Sequence, residues 1–499
     1  MEFIQMMDQT IEPGALVEWS AHTEGGLGAW SSDSRPTSYN HEQHLRGALE
    51  YRWRTHREGG RESWLGLAIE FDEPMSVPAI RSALTSWIDR HEVLRSHVVL
   101  KHSGPVRLST MPGSVRLRMG RIGWYTESGP LLDQIAGTFD RATAPLAWPA
   151  YHFATVARER SFTLLFAADH SLVDGYSLIL AQHELTALYR AARDRTTPAL
   201  MPVGSYVDFS AHERRLAEVA DIDDPAVQAW ERYLRDAGGR LPDFFRSPTT
   251  DGSTAVNADE VTDTETRHQS SLTSRLLDDG ETNRFTAVCS AAGGSLFAGV
   301  LSALALAYRE ERGEPEFRCV IPRHTRNDAA WLTALGWFVA VSPFRLDTTD
   351  LNTFDQVITR ATTELRSSRI AAGLPFLRVA ELLGHRSDPK FVVSFIDTRF
   401  APGADAADAG AARVLRSHNY SPDEVYLWVN RTPSGLRISA RFPAHDVVPA
   451  DDANGDAYTQ VSRFLAAFAE VIRQIGENST YGTVPGPTPA PERSLGGLG

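Results

Sequence analysis

Cysteine and positive charge are both scarce in this sequence. Its 499 residues include two cysteines, Cys289 and Cys319, which excludes a disulfide framework and leaves no cysteine spacing typical of a metal site. Lysine and arginine number 50 against 63 aspartates and glutamates, so the formal net charge is −13. A charge of this sign opposes nucleic-acid binding, which needs local positive charge to meet the phosphates. We therefore expect neither a metal site nor a nucleic-acid partner.

Long apolar runs and recognisable leader sequences are also lacking. The longest apolar pattern, residues 296–308, is shorter than the roughly 20 residues that a membrane-spanning helix needs. The first residues, MEFIQMMDQTIEPG, do not have the basic-then-apolar order of a secretory signal. Hydrophobic residues make up 42% and charged residues 23%, the balance of a globular protein with a large core. These features predict a cytoplasmic protein without a transmembrane segment.

Two polar segments divide the chain. Residues 244–266 are rich in serine, threonine and aspartate and have no hydrophobic period, which is typical of a linker. Residues 477–499 are rich in proline and glycine and bury little apolar surface, which predicts a flexible tail. The linker separates two segments of similar size, 1–243 and 267–476. Within the second segment, the polar, alanine-rich residues 401–412 predict a surface loop.

Each half mixes strand and helix patterns. Short apolar runs predict strands, whereas apolar residues at helical spacing behind Ser76 and Ser295, two N-cap residues, predict helices. No βαβ unit carries a dinucleotide-binding fingerprint. The sequence therefore predicts an α/β or α+β protein in two lobes of similar size. The predicted strands are 64–71, 161–168, 317–321, 338–346, 391–395, 425–430 and 436–442, and the clearest helices are 176–192 and 296–310.

The segment DHSLVDG, residues 169–175, carries the clearest chemical signal. It lies between a predicted strand and a predicted helix, so His170 would stand on a loop at a strand end, facing a cleft. A neutral imidazole titrates near neutral pH and can take a proton from an attacking hydroxyl or amine. Gly175 permits a tight turn. The pattern is short, and Asp174 taken alone is equally consistent with a simple N-cap of the next helix.

Two further segments make the pattern specific, namely residues 90–96 (RHEVLRS) in the first half and 335–345 (LGWFVAVSPFR) in the second. With DHSLVDG they give the order RHExLR, HxxxDG and GxF, and in this the sequence resembles the condensation-domain superfamily. Within that superfamily it looks most like the polyketide-associated acyltransferases of actinobacteria, which include trehalose-lipid acyltransferases. The additional segments that carry this likeness are EPG at 12–14 with Trp19, EQHLR at 42–46, FVVSFID at 391–397 and LWVNR at 427–431.

The resemblance implies a chloramphenicol-acetyltransferase-like fold, in which two lobes form a V with an active-site tunnel between them. It implies that His170 is the catalytic base and that Asp174 is chiefly structural, in an ion pair with an arginine upstream of the GxF segment. Arg326 stands at the matching spacing, and Arg323 is the competing partner. Asp169 replaces the first histidine of many peptide-synthetase domains, a histidine that acyltransferases of this superfamily often lack.

Other site residues are less determined by the motifs. Trp337 and Phe338 would line the tunnel or pack in the core, and we expect at least one of them to be core. The tetrahedral intermediate of acyl transfer needs a hydrogen-bond donor for its oxygen. The backbone N–H of Gly175, near a helix N-terminus, and the hydroxyl of Ser394 are the two candidates for that donor.

The resemblance implies a free-standing acyltransferase that moves an acyl group from a thioester onto a hydroxyl of a specialised metabolite or glycolipid, forming an ester. Its co-substrate would be acyl-CoA or a phosphopantetheinyl carrier protein, with no bound cofactor and no covalent acyl-enzyme. One alternative is a stand-alone condensation enzyme that takes an acyl or aminoacyl group from a carrier protein and forms an ester or amide. Another is a non-catalytic condensation-like binding module, against which an intact His170 and Asp174 argue.

Overall fold

The computed structural model describes residues 2–56, 64–245, 267–385, 388–410, 412–417, 419–420, 424–444 and 456–477. Nearly all of the expected linker (244–266) and of the expected tail (477–499) lies outside the described residues. Within them, the chain forms two large mixed sheets flanked by helices, a three-stranded sheet and a two-stranded ribbon. The mixed α/β architecture predicted from the sequence is thereby confirmed.

The strands are assigned to the two large sheets in an order that differs from their order in the chain. The seven-stranded sheet runs β1-β15-β4-β9-β8-β2-β7, and the six-stranded sheet runs β11-β18-β17-β14-β12-β13. In chain order the strands are β1 Glu2–Gln5, β2 Ala15–Thr23, β3 Ser31–Asp33, β4 Trp64–Phe71, β5 Ser96–Lys101, β6 Gly104–Ser109, β7 Val115–Trp124, β8 Tyr151–Ala157, β9 Phe162–Asp169, β10 Arg267–His268, β11 Ser270–Asp278, β12 Glu316–His324, β13 Val339–Asp347, β14 Phe391–Asp397, β15 Arg413–Arg416, β16 Asn419–Tyr420, β17 Val425–Thr432 and β18 Gly435–Phe442.

The helices cover the faces of both large sheets. Every predicted strand and both predicted helices are present, with ends shifted by a few residues, and Ser76 and Ser295 are N-caps as expected. In chain order the α-helices are α1 Tyr39–Thr55, α2 Val77–Arg90, α3 Ser128–Ala142, α4 Gly175–Asp194, α5 Tyr206–Val219, α6 Pro225–Asp236, α7 Asp279–Ala291, α8 Leu296–Arg312, α9 Phe354–Ser367, α10 Phe376–Leu383, α11 Ala404–Ala409 and α12 Ala457–Glu477.

β9 owes its central place in the seven-stranded sheet to an unbroken buried sequence. Every residue from Phe162 to Asp169 is buried. Successive side chains of a strand point to opposite faces, so Phe166 packs with α2 and α4 while Leu165 packs with α3. A strand covered on both faces is fixed along its length. The residue that follows it, His170, is therefore held at a defined place in the fold.

α8 is the apolar helix predicted at residues 296–308. Ser295 caps it by accepting a hydrogen bond from the Ala298 N–H at 3.1 Å, and its side chains are buried on almost every side in the core of the six-stranded sheet. Among the described residues, no single helix is long and apolar enough to cross a membrane. The pair α7 and α8, bent by 92° relative to each other, reaches that length and composition only jointly.

The two halves of the chain share the seven-stranded sheet. β15, from the second half, lies between β1 and β4, pairing in parallel with β1 and antiparallel with β4. Arg413 stands opposite Ala68, and Arg416 stands opposite Leu65. A division of the chain at residues 244–266 therefore leaves one strand of the second half in the sheet of the first half.

The prediction of a surface loop at residues 401–412 is wrong. Residues 404–409 form α11, and Ala401, Ala407 and Ala412 are buried in the core that contains α4. Alanine is the strongest helix former, and its small side chain allows close packing between neighbouring elements. An alanine-rich segment interrupted by aspartates has the composition of a loop, but here four of its alanines, Ala401, Ala404, Ala407 and Ala412, are buried.

The start of α1 is anchored by a buried carboxyl from α5. Glu213 accepts a hydrogen bond from the Tyr39 N–H at 2.8 Å, and Ser38 accepts one from the His41 N–H at 3.1 Å. Burial raises the pKa of Glu213 to about 7, although the backbone hydrogen bonds from Tyr39 and Asn40 act in the opposite direction. Near neutral pH this carboxyl therefore exists partly in its protonated form.

We expect Glu213→Gln to remove a pH dependence of stability. Because the pKa of Glu213 is higher in the folded protein than the usual 4.5, its contribution is complete below pH 4.5 and is lost as the pH rises towards 7. Between pH 5 and pH 8 the free energy of unfolding of the variant should therefore increase relative to that of the wild type, by on the order of 1–3 kcal/mol. Urea unfolding at several pH values measures this. Glu218→Gln, at an exposed site on the same helix, is the control, and parallel curves for Glu213→Gln and wild type would contradict the expectation.

Candidate active site

His170 stands on the turn between β9 and α4. Its ring packs against the ring of Trp337, with centroids 4.8 Å apart and planes inclined by 49°. The Nδ1 atom of His170 is buried, whereas the residue as a whole is partly exposed. Because Nδ1 is buried, Nε2 is the ring nitrogen that we expect a reacting group to meet.

The residue before His170 is held by a histidine from a distant part of the chain. His44 Nε2, on α1, lies 3.0 and 3.1 Å from the two carboxylate oxygens of Asp169. The same carboxylate accepts hydrogen bonds from the Ser171 N–H at 3.0 Å and from the Ser171 hydroxyl at 2.5 Å. Burial would raise the pKa of Asp169, but attraction to His44 and these hydrogen bonds outweigh it and hold the pKa below its usual value. Asp169 is an anion next to His170.

Asp174 serves both as a helix cap and as an ion-pair partner. One carboxylate oxygen accepts from the Ser177 N–H at 2.7 Å and thereby caps α4, and Arg326 Nη2 lies 3.0 Å from the same oxygen. The other oxygen accepts from the Phe338 N–H at 3.0 Å. The two interpretations considered for Asp174, cap and ion pair, therefore hold together.

Arg326 is the arginine that pairs with Asp174. The two side chains are 2% and 3% exposed, and Arg326 also donates to the carbonyl oxygens of Trp331 and Ala334. Its guanidinium lies 4.0 Å from the centre of the Phe338 ring, a favourable cation–π distance. The competing residue Arg323 is bound elsewhere. It donates to Ser342 and Ser368 and to the carbonyl oxygen of Leu365.

The GWF segment, residues 336–338, is attached to the first turn of α4. The Ser177 hydroxyl lies 2.9 Å from the Gly336 carbonyl oxygen and 3.1 Å from the Gly336 N–H. Gly336 is packed so closely on Tyr206 that a Cβ atom would fall 2.2 Å from a ring carbon. This contact leaves room for no side chain at position 336. It fixes the path that carries Trp337 to His170.

We expect Gly336→Ala to displace Trp337 and to lower both activity and stability. The new methyl group would overlap the Tyr206 ring, and overpacking of this kind typically costs about 1–3 kcal/mol. Turnover should fall more than the folded fraction does, because the ring against His170 moves. Gly129→Ala is the matched control, since nothing lies within 4 Å of a Cβ at that position in α3. Equal thermal midpoints and equal rates for the two variants would show that the contact does not matter.

The RHExLR segment, residues 90–95, supports the site from the end of α2. His91 Nε2 lies 2.5 Å from Glu184 of α4, and His91 Nδ1 accepts a hydrogen bond from the Leu335 N–H at 3.4 Å. Accepting at Nδ1 places the ring proton at Nε2, facing the carboxylate. Trp87 and Arg90 also donate to Glu184. The segment therefore connects α2, α4 and the GWF loop without reaching His170.

The remaining predicted site residues lie at different distances from this centre. Trp337 is partly buried and touches His170, whereas Phe338 is fully buried and is a core residue, as expected for one of the two. Gly175 is the first residue of α4, so its N–H has no acceptor within the helix. Ser394 is 6% exposed within β14, opposite Trp428. Among the described residues no hydrogen bond or ring contact joins Ser394 to His170.

Two pairings of the site, His44 with Asp169 and His91 with Glu184, have no signal in the sequence. His44 belongs to the EQHLR segment, but its partner Asp169 lies 125 residues away, and Glu184 lies 93 residues from His91. Neither separation has a period that a sequence pattern reveals. In the ranges that the structure describes, no group of histidine, cysteine and carboxylate side chains is arranged to hold a metal ion.

Comparison with known proteins identifies the family. The condensation-domain family model matches residues 57–400. The chain is 26% identical over 480 residues to acyltransferase PapA3 of Mycobacterium tuberculosis, covering 93% of this chain and 94% of that protein. It is 25% identical over 462 residues to trehalose-2-sulfate acyltransferase PapA2 of the same species, covering 90% and 94%.

Solved structures agree with this assignment at the level of the fold. The structure of PapA2 acyl transferase superimposes with a TM-score of 0.80 at 23% identity, covering 96% of this chain and all of that one. The first condensation domain of the calcium-dependent antibiotic synthetase gives a TM-score of 0.65 at 16% identity, covering 90% and 97%. The chain belongs to the condensation-domain family and is an acyltransferase.

Proposed function

We propose that this protein transfers an acyl group from a thioester to a hydroxyl group, forming an ester, with His170 as general base. The observation that carries the proposal is the position of His170 on the turn, with Nδ1 buried, the residue partly exposed and its ring against Trp337. The supporting frame is the buried pair of Asp174 and Arg326, which fixes the α4 end of the turn.

The chemistry requires one proton to be moved twice. Nε2 of His170 takes the proton of the acceptor hydroxyl while its oxygen attacks the thioester carbonyl. The tetrahedral intermediate carries a negative oxygen, for which the N–H of Gly175 is our first candidate donor and Ser394 the second. Collapse breaks the carbon–sulfur bond, and the imidazolium returns the proton to the leaving thiolate. The products are an ester and a free thiol, and no acyl-enzyme forms.

The acceptor and donor are proposed by class. Relatives are named as acyltransferases acting on sulfated trehalose, among them 2'-acyl-2-O-sulfo-trehalose (hydroxy)phthioceranyltransferase PapA1, which is 26% identical over 411 residues. We propose a hydroxyl of a glycolipid or specialised metabolite as acceptor, and acyl-CoA or a phosphopantetheinyl carrier protein as donor. The two substrates would meet at His170 through a tunnel between two lobes, in the cytoplasm. The protein itself would hold no resident cofactor.

One acyl group offered in two forms tests the donor. Purified protein is incubated with the same acyl chain on coenzyme A and on a carrier protein, together with trehalose-type alcohols and matched amines, and products are identified by mass spectrometry. Ester formation from a thioester is the expected result. Amide formation from the carrier alone would favour the stand-alone condensation enzyme. Binding of acyl thioester without any product would favour a non-catalytic module.

A further inference from the structure

α1 contacts both loops of the candidate site, namely the turn that carries His170 and the GWF segment. His44 on this helix reaches Asp169, the residue before His170, and Asn40 one turn earlier donates to the carbonyl oxygen of Val339 at 3.3 Å, just after the GWF segment. The His44 ring also meets the Trp337 ring edge-on, with centroids 5.8 Å apart and planes at 81°. One helix therefore touches both loops within a few residues.

The Asp169 carboxylate holds the chain on both sides of His170. It accepts hydrogen bonds from Ser171, the residue after His170, and from His44. The Asp169 carboxylate therefore fixes the backbone before and after His170. His44, which lies outside this loop, binds that carboxylate. A second route from His44 to the base passes through Trp337, whose ring lies between the two histidine rings.

Of the histidines and the arginine near Asp169, His44 is the one that contacts the carboxylate. His41 on the same helix is buried, and burial together with Arg107 and His44 lowers its pKa to about 3. Burial lowers the pKa of His97 on β5 to about 4. Both are neutral at pH 7. Burial also lowers the pKa of Arg107 on β6, to about 10, and this guanidinium stays protonated but donates to the Ser96 hydroxyl and to backbone oxygens.

We infer that His44 is a positioning residue for acyl transfer, which holds the His170 turn through Asp169 and offsets the charge of that carboxylate beside the base. The inference rests on the proposed role of His170. Without the attraction between His44 and Asp169, an uncompensated anion would stand beside the base and favour the imidazolium, which cannot accept a proton.

The pH profile of kcat/KM tests this inference. His44→Gln keeps a hydrogen-bond donor but removes the ionisable ring that attracts the Asp169 carboxylate, so the acid limb of the profile should move upward by about half a pH unit or more. At pH 7 kcat should fall by up to about threefold for each half unit of that shift, with KM unchanged, because only the state of the base is affected. Asp169→Asn should not move the limb upward, and the double variant His44→Gln/Asp169→Asn should return it to the wild-type position.

A matched histidine separates positioning from general damage. His212 packs on Trp331 with centroids 5.7 Å apart, much as His44 packs on Trp337, but it lies on α5 away from Asp169. His212→Gln should leave the limb unchanged. A purely structural role for His44 would lower the thermal midpoint and the active fraction but leave the limb in place, and that result would overturn the inference. Absence of turnover in the wild type would instead overturn the proposed function.

Discussion

His170→Ala should lower kcat for ester formation by a factor of about 10²–10⁴, the usual contribution of a general base. The acceptor hydroxyl would then attack without a group to take its proton, while thioester binding would change little. Folding should be preserved, because His170 is partly exposed and the turn is held by Asp169 and Asp174 on either side. Ester product is quantified by mass spectrometry under single-turnover conditions.

His183→Ala provides the comparison for this result. His183 is also partly exposed and lies on α4, but it faces Gly403 rather than the turn. Its removal should leave the rate within about twofold of wild type, as expected for a residue away from the chemistry. Full turnover of His170→Ala would dismiss the base. A comparable loss in both variants would point to damage of α4 rather than to the loss of a proton acceptor.

Arg326→Met should cost about 3–5 kcal/mol of stability. The substitution removes the cation from a pair whose side chains are almost fully buried, and the Asp174 carboxylate would be left inside the protein without its partner. The two carbonyl oxygens that Arg326 satisfies would also lose a donor. Denaturant unfolding, followed by fluorescence of the buried tryptophans, measures the loss.

Two further variants make this expectation specific. Arg323→Met removes only hydrogen bonds to Ser342, Ser368 and one carbonyl, so it should cost about 1–2 kcal/mol. Asp174→Asn combined with Arg326→Met removes both charges and should recover part of the loss. If the two arginine variants unfold alike, the Asp174 pair does not carry the stability assigned to it.

The parts of the site that the sequence predicted are those with a local signature. An unbroken apolar run gave β9, and the residue types after it gave His170 and Asp174, because a strand end, a turn and a helix cap follow each other within a few residues. Arg326 was found through its spacing from the GWF segment. The pairing itself depends on where two distant segments meet, which the motif order implies only through the resemblance.

The parts that escaped prediction are those made by long-range packing. The pair of His44 and Asp169 joins residues 125 positions apart, and no helical or strand period connects them. α11 has the composition of a loop, because its six residues are alanines and aspartates, and the burial of Ala404 and Ala407 depends on contacts with distant segments. β15 is only four residues long, and two of these are arginines, so its sequence does not have the pattern of an interior strand.

The position of β15 has a consequence for synthesis of the protein on the ribosome. Among the described residues, β1 is hydrogen-bonded into its sheet through β15 alone, so residues 2–5 remain without a strand partner until residues 413–416 have emerged. Until then β4 has an open edge, the kind of surface on which strands of other chains pair. The first sheet is thus completed late in translation, and a fragment ending before residue 413 would retain an unpaired, aggregation-prone edge.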